Sequence, residues 1–449
     1  MPTLTLQIAP AELRVQPLPE AQIGYLRLDI AVSGSAGTRA VNWALLADAS
    51  RSMRIPIVDE AQFRALIQQG GAQETLVDGV PVWQLNTPAP AELRAVAPSA
   101  LDHVARALHT VVERLDAQDR FALLGCAEEA LLLNRSTPGD SRAELVGGIE
   151  RLKDLNLGEQ TDLAPGLELA LQELRRGRDG RRAERVLLLT DGFTRRPERC
   201  LDLADQAATE GVAISTVGLG GEFQEDLLTA LADRSGGRAL FLHRPRDIPQ
   251  AMAQELAQAR AVAARAVTLR VQPLAGAALR RVTRIRPALS QLLDTGAQTL
   301  PGRAWSLPLG DIDPSGQVSL LLELLIAPGT PTPAQLARVA LEADGAVAAE
   351  ATASLRFQIN PPPLPEPVRD AAARANIARL QRRALDTARS GDMAEAARLL
   401  RASAQRLDTL GESGMAEIAR QQALSFEQGG RAPGIETKEL IYATRRLGK

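Results

Sequence analysis

The spacing of apolar positions changes character several times along the chain. Between residues 3 and 33 apolar and polar side chains alternate. Leu26, Leu28 and Ile30 interleave with Tyr25, Arg27 and Asp29, the period-two pattern of a strand with one buried face. TLTLQI and ELRV before it read as further strands. From Val41 to about Gln258 short, almost wholly apolar runs (VNWALLAD, RFALLGCA, EALLLN, RVLLLTDG, VAISTVGLG and GRALFL) are separated by helical patterns. In LDHVARALHTVVERL, for example, Leu101, Val104, Ala105, Leu108, Val111, Val112 and Leu115 recur at helical spacing. Continuous apolar strands divided by amphipathic helices predict a doubly wound, mostly parallel α/β sheet covered on both faces.

Strand patterns return without helices from Arg265 to Asn360. The N-terminal strands bury too little surface to fold alone, so they are expected to pair with this second set. The predicted organisation is therefore residues 1–38 and 261–360 as one β-sandwich, with an α/β domain at 39–260 inserted into it. After a stiff run beginning at Asn360 (NPPPLPEP), residues 361–449 read as a helical domain. It is expected to hold a helical hairpin and a further helix near Ala416–Gln428.

One segment breaks the α/β rhythm. About 45 residues, 54–98, separate the first strand of that domain from its helix, against the two to six usual for such a connection. Asp59 is placed to cap a short helix, EAQFRALIQQ, and ETLVDGVPVWQL reads as a hairpin turning at Asp78-Gly79. Trp83 in that hairpin has two readings, as the small core of the insert or as an exposed anchor for a partner.

Composition narrows the function. Hydrophobic residues make up 45% and charged residues 24%, so the chain is globular. Lys+Arg 52 against Asp+Glu 54, with only 12 aromatic residues, argues against a nucleic-acid surface. The most apolar run, Val318 to Ala327, is short and carries Glu323, so no membrane span is expected. Two cysteines, Cys126 and Cys200, and no basic, apolar leader fit a cytoplasmic protein.

G-x-S-x-G, H-E-x-x-H, C-x-x-C and G-x-x-x-x-G-K-[ST] are all missing, and three scattered histidines do not suggest zinc. One set of residues does concentrate chemistry. Asp48, Ser50 and Ser52 follow the first apolar strand at period-two spacing, Thr161 precedes a helix, and Asp191 ends a later strand. All lie where ligands bind in open α/β sheets, at the C-terminal ends of strands. Two carboxylates and three hydroxyls are hard oxygen donors, suited to Mg2+ or Mn2+. The competing reading is a set of turn and cap residues that binds no metal.

D-x-S-x-S at Asp48–Ser52, T-x-x-x-x-G at Thr161 and T-D-G at Asp191, in this order on strand ends, resemble the metal-ion-dependent adhesion site of the von Willebrand factor A domain family. The resemblance covers residues 41–258. It departs from the family at Arg51, where glycine is common; Arg51 either overhangs the site or turns to solvent. The flanking sandwich and helical tail resemble an arrangement common in bacterial proteins with this domain. The resemblance implies a metal bound by Asp48, Ser50, Ser52, Thr161 and Asp191, and a protein partner whose exposed Asp or Glu completes the coordination. It implies a binding module and not an enzyme. Two other readings are an accessory subunit of a MoxR- or chelatase-type AAA+ ATPase, and a metal-dependent hydrolase with Asp162, Asp59 or Glu60 as base.

Overall fold

The computed structural model describes residues 3–34, 39–58, 63–64, 67–68, 71–77, 80–85, 97–220, 223–274, 276–296, 301–314, 316–343, 345–428, 444–445 and 447. The chain divides into two compact units, one of residues 1–36 with 263–449 and one of residues 37–262.

The first three strands belong to the discontinuous unit: β1 (Thr3–Ala9), β2 (Glu12–Val15) and β3 (Gln22–Ser33). In β3 Gly24, Leu26, Leu28 and Ile30 are buried and Tyr25, Arg27 and Asp29 between them are half-buried, the alternation read from the sequence.

The α/β unit follows with β4 (Val41–Asp48), the single turn α1 (Arg51–Arg54), β5 (Ala72–Val77), β6 (Val80–Leu85) and α2 (Ala100–Glu113). It continues through β7 (Arg120–Cys126), β8 (Ala130–Pro138), α3 (Arg142–Lys153), α4 (Leu163–Gly177), β9 (Ala183–Thr190) and α5 (Pro197–Thr209). It ends with β10 (Ala213–Leu219), α6 (Glu225–Ser235), β11 (Ala239–Leu242) and α7 (Ile248–Arg260). Its sheet has the order β11-β10-β9-β4-β7-β8, parallel throughout except at the β7–β8 edge.

Alternate residues of β4 feed two cores. Trp43, Leu45 and Ala47 pack with Val104 and Leu108 of α2, Ile149 of α3 and Met252 of α7. Ala44 and Leu46 pack with Leu167 of α4, Leu203 of α5 and Leu231 of α6. A strand buried on both faces has no polar side to show, which is why it reads as an unbroken apolar run.

Within the long insert, β5 and β6 form an antiparallel hairpin with Val77 opposite Val80 and Glu74 opposite Trp83. The expected cap at Asp59, the turn at Asp78-Gly79 and most of the helix over 60–69 lie outside the described residues, as does the side chain of Trp83.

The remaining strands are β12 (Ala264–Pro273), β13 (Ala277–Arg286), β14 (Ser290–Asp294), β15 (Trp305–Ile312), β16 (Val318–Ile326), β17 (Ala334–Ala343) and β18 (Ala346–Phe357). They form two five-stranded sheets, β1-β3-β16-β13-β14 and β15-β12-β17-β18-β2. N-terminal strands thus enter both sheets: β3 lies antiparallel between β1 and β16, and β2 runs parallel to β18. Leu26, Leu28, Leu269, Val271, Leu320, Leu322, Val339 and Leu355 build one core between the sheets.

Among the described residues three helices follow in this unit: α8 (Glu366–Arg389), α9 (Met393–Thr409) and α10 (Ser413–Glu427). The first is not held apart by the proline-rich run. Val368, Ala371 and Ala375 of α8 pack on Ile285 and Leu321 of the sandwich. Buried Glu323 of β16 accepts from Arg281 at 3.1 Å and from Arg379 of α8 at 2.5 Å, pinning helix to sheet. Among the described residues no helix is long and apolar enough to cross a membrane.

Candidate metal centre

Asp48 ends β4 and Thr190 ends β9, adjacent parallel strands in which Ala47 lies opposite Leu189. The chain leaves β4 towards β7 on one side and β9 towards β10 on the other. Such a reversal opens a crevice at the carboxyl ends of the strands. Side chains that end these two strands therefore meet in it.

The turn after β4 is fixed by Asp48 itself, whose Oδ1 accepts from the Ser50 backbone N–H at 2.9 Å. Ser50 precedes α1, which places Ser52 in the first turn of that short helix. Ser52 Oγ lies 3.2 Å from Ser50 Oγ and donates to Asp191 Oδ1 at 2.7 Å. Thr161 Oγ1 donates to Asp48 Oδ2 at 3.2 Å. The structure thus brings together all five residues singled out in the sequence: Asp48, Ser50, Ser52, Thr161 and Asp191.

The Thr161 loop is tied to the loop after Asp191. Thr161 and Thr194 form a parallel bridge, the Arg195 N–H donates to the Thr161 carbonyl at 3.2 Å, and the Leu163 N–H donates to Thr194 Oγ1 at 2.9 Å. Gly192 suits this closeness, since a Cβ there would lie 3.2 Å from Thr161 Oγ1 and press on it.

Sequence reasoning missed Thr190. Its side chain is fully buried, and its Oγ1 donates to Asp48 Oδ2 at 2.5 Å. The available signal was its place, the last residue of the strand beside the one that Asp48 ends.

Electrostatically the site is short of positive charge. Burial raises the Asp48 carboxyl above the usual range against the hydrogen bonds from Thr190 and Ser50. Burial, with the nearby Asp48 charge, pushes Asp191 up to about 7. The arginines of the surrounding loops are engaged with other groups. Arg51 pairs with Glu159 at 3.5 Å, Arg54 donates to the Gly158 carbonyl at 3.2 Å, Arg195 donates to Gln160 at 2.6 Å, and Arg196 donates to Asp162 at 2.7 Å. The sequence left two orientations open for Arg51; its guanidinium is engaged by the neighbouring loop.

A buried and a half-buried carboxylate beside three hydroxyls fit a hard divalent cation, which would relieve the charge and accept oxygen donors of this kind. Among the described residues no group of three or more His, Cys, Asp or Glu side chains could hold a metal, so nitrogen and sulfur sites of the zinc type are not represented there.

Residues 94–254 match the model for the von Willebrand factor type A domain. The chain contains a von Willebrand factor type A domain. Domains of this family commonly mediate protein–protein contacts and typically bind a divalent metal at their adhesion site. Residues 366–449 match a second model, the Sll0103-like C-terminal alpha-helical domain.

The fold extends well beyond the A domain. A von Willebrand factor type A protein from Catenulispora acidiphila superposes with a TM-score of 0.72, at 16% identity, over 99% of this chain and 97% of that one. The ArnB paralog VWA2 from Sulfolobus acidocaldarius gives a TM-score of 0.56, at 12% identity, over 100% and 99% of the two chains. In sequence, the Synechocystis protein sll0103 is 28% identical over 147 residues, 32% of this chain and 34% of the relative. The chain spans about a third of the length of the curated relatives it matches.

Of the three carboxylates considered as a general base, Asp59 and Glu60 lie outside the described residues. Asp162 caps α4 through the Ala164 N–H at 3.2 Å and is paired with Arg196. Both of its oxygens are thereby occupied.

Proposed function

We propose that this protein is a Mg2+-dependent protein-binding module that recognises an exposed Asp or Glu of its partner. The observation that carries the reading is the convergence of Asp48, Ser50, Ser52, Thr161 and Asp191 within linked hydrogen-bond distances at the rim of the sheet. Asp48 and Asp191 would hold the cation directly or through water, with the three hydroxyls filling further positions. The cation would supply a Lewis-acidic point of attachment. The chain's own contribution is rigidity: the Thr190 hydroxyl fixes Asp48, and the bridge between Thr161 and Thr194 holds the two later loops together.

With neutral hydroxyls making up the rest of the donor set, a bound cation retains electrostatic demand that a partner's carboxylate can meet. Asp162 is tied up by Arg196, which favours binding over hydrolysis.

The test is calorimetric titration of Mg2+ into the full chain and into Asp48→Ala. Binding in the parent and its loss in the variant are expected; unchanged affinity in the variant overturns the assignment. Capture of a protein from native lysate in Mg2+, lost in EDTA and lost again when the captured protein's carboxylates are amidated, tests the recognition mode.

A further inference from the structure

The loops around the centre carry an apolar feature that metal binding does not use. Phe193 lies two residues after Asp191, and it is 58% exposed. Its neighbours are fixed: Gly192 lies against Thr161, Thr194 is buried in the bridge to Thr161, and Arg195 donates its N–H to the Thr161 carbonyl. The phenyl ring is therefore presented to solvent by a backbone held on both sides. Ile55 and Ile57 follow the Ser52 turn and are 38% and 47% exposed. Their backbone is also held, through Ile55 N–H to the Ser52 carbonyl and Ile57 N–H to the Pro98 carbonyl. Three large apolar side chains on restrained loops within a few residues of metal-site side chains form a rim of the kind that anchors interfaces.

Charge selects what can cover this rim. In the segments 48–54, 158–162 and 191–196, Arg51, Arg54, Arg195 and Arg196 balance Asp48, Glu159, Asp162 and Asp191. With a divalent cation in place, these segments would carry the surplus charge of that cation. A complementary surface presents one carboxylate with a bulky apolar side chain beside it. Adjacent Cα atoms are about 3.8 Å apart, so an apolar residue one or two positions from the acidic one is separated from it by no more chain than Phe193 is from Asp191.

Resting on the proposed metal-dependent reading, we infer that the partner segment carries an Asp or Glu within two residues of a large aliphatic or aromatic side chain. Phe193, with Ile55 and Ile57, is the anchor that distinguishes it from other acidic segments.

The experiment is selection of a displayed random 12-residue peptide library on the immobilised full chain in Mg2+, with parallel selections in EDTA and on Phe193→Ser and Ile57→Ser. Both substitutions replace exposed side chains, and unchanged thermal melting verifies their folds. In Mg2+ the parent should enrich peptides with an acidic residue flanked within two positions by a large apolar one. On Phe193→Ser the acidic preference should persist and the apolar preference vanish. A synthetic copy of a selected peptide should bind that variant at least about tenfold more weakly.

An apolar preference retained in both variants, or acidic peptides enriched without apolar neighbours, overturns the anchor while leaving the metal reading standing. Enrichment that is the same in EDTA overturns the metal reading itself. Failure to enrich any peptide in Mg2+ overturns the assignment of a linear acidic segment as the occupant.

Discussion

Replacing Asp48 with asparagine separates the two things this residue does. Its Oδ1 accepts from the Ser50 N–H and its Oδ2 from Thr190 Oγ1, so it organises the turn, and under the proposed function its charge would attract a cation. Asparagine keeps the shape and one acceptor oxygen but removes the charge. Asp48→Ala leaves a buried amide and a buried hydroxyl without an acceptor, at about 1–3 kcal/mol each. Asp48→Asn should therefore melt within a few degrees of the parent in EDTA, since it also removes a buried charge that Asp191 opposes. With Mg2+ about a hundredfold above its Kd, mass action adds about 2.7 kcal/mol to the parent. The A-domain unit spans residues 37–262, a size at which each kcal/mol moves the melting temperature by about 2–4 °C. Differential scanning calorimetry should then show a Mg2+-induced rise of about 5–10 °C in the parent and none in Asp48→Asn. An equal rise in both proteins would refute the argument, because the ion would be acting somewhere else.

Four further outcomes are expected. Arg196→Ala should shift the urea unfolding midpoint only slightly, because Asp162 loses its partner in a pair whose arginine is largely exposed, and it should leave Mg2+ affinity intact by calorimetry. Glu323→Ala should cost about 3 kcal/mol or more, read from denaturant midpoints, because Arg281 and Arg379 lose a buried counter-ion. A chain starting at residue 39 should aggregate on size-exclusion chromatography: it lacks the core residues Leu13, Leu26, Leu28 and Ile30, each stabilising by about 1.5–3 kcal/mol, and leaves the β3-facing edge of β16 open. Replacing residues 59–96 with a short Gly/Ser loop should preserve Mg2+ affinity and abolish partner capture; loss of Mg2+ binding would place the insert in the metal site.

The parts of the fold visible in the sequence are those where one period governs a long stretch. β3 alternates because one face is buried, and β4 and β9 read as apolar runs because both faces are. The meeting of Asp48, Ser50, Ser52, Thr161 and Asp191 was legible because they sit at strand and helix ends with fixed spacing. Thr190 was harder to assign, because its role depends on the register between β9 and β4, which is a tertiary fact. The commitment of Asp162 to Arg196 arises from two loops separated by a strand and a helix. Helix α7 went unread because its alanine- and glutamine-rich pattern has little contrast between faces; Ala251, Met252, Leu256 and Ala259 supply its buried side. The packing of α8 against the sandwich was hidden by the proline run, which spaces two segments in sequence without setting where the second one lands.

The insertion of the A domain has a consequence during synthesis. β3 pairs with β1 soon after both are made, but its other neighbour, β16, begins at Val318. Within the inserted unit, the Arg39 N–H donates to the Arg260 carbonyl, so its two chain ends are joined as soon as that unit folds. At about 5–20 residues per second, the ribosome leaves the open edge of β3 waiting roughly 15–60 s for its partner. By the end of that interval the nascent chain carries a completed domain behind an uncapped pair of strands. Protection of that pair, by a chaperone or by the pace of translation, then becomes part of how this architecture is made.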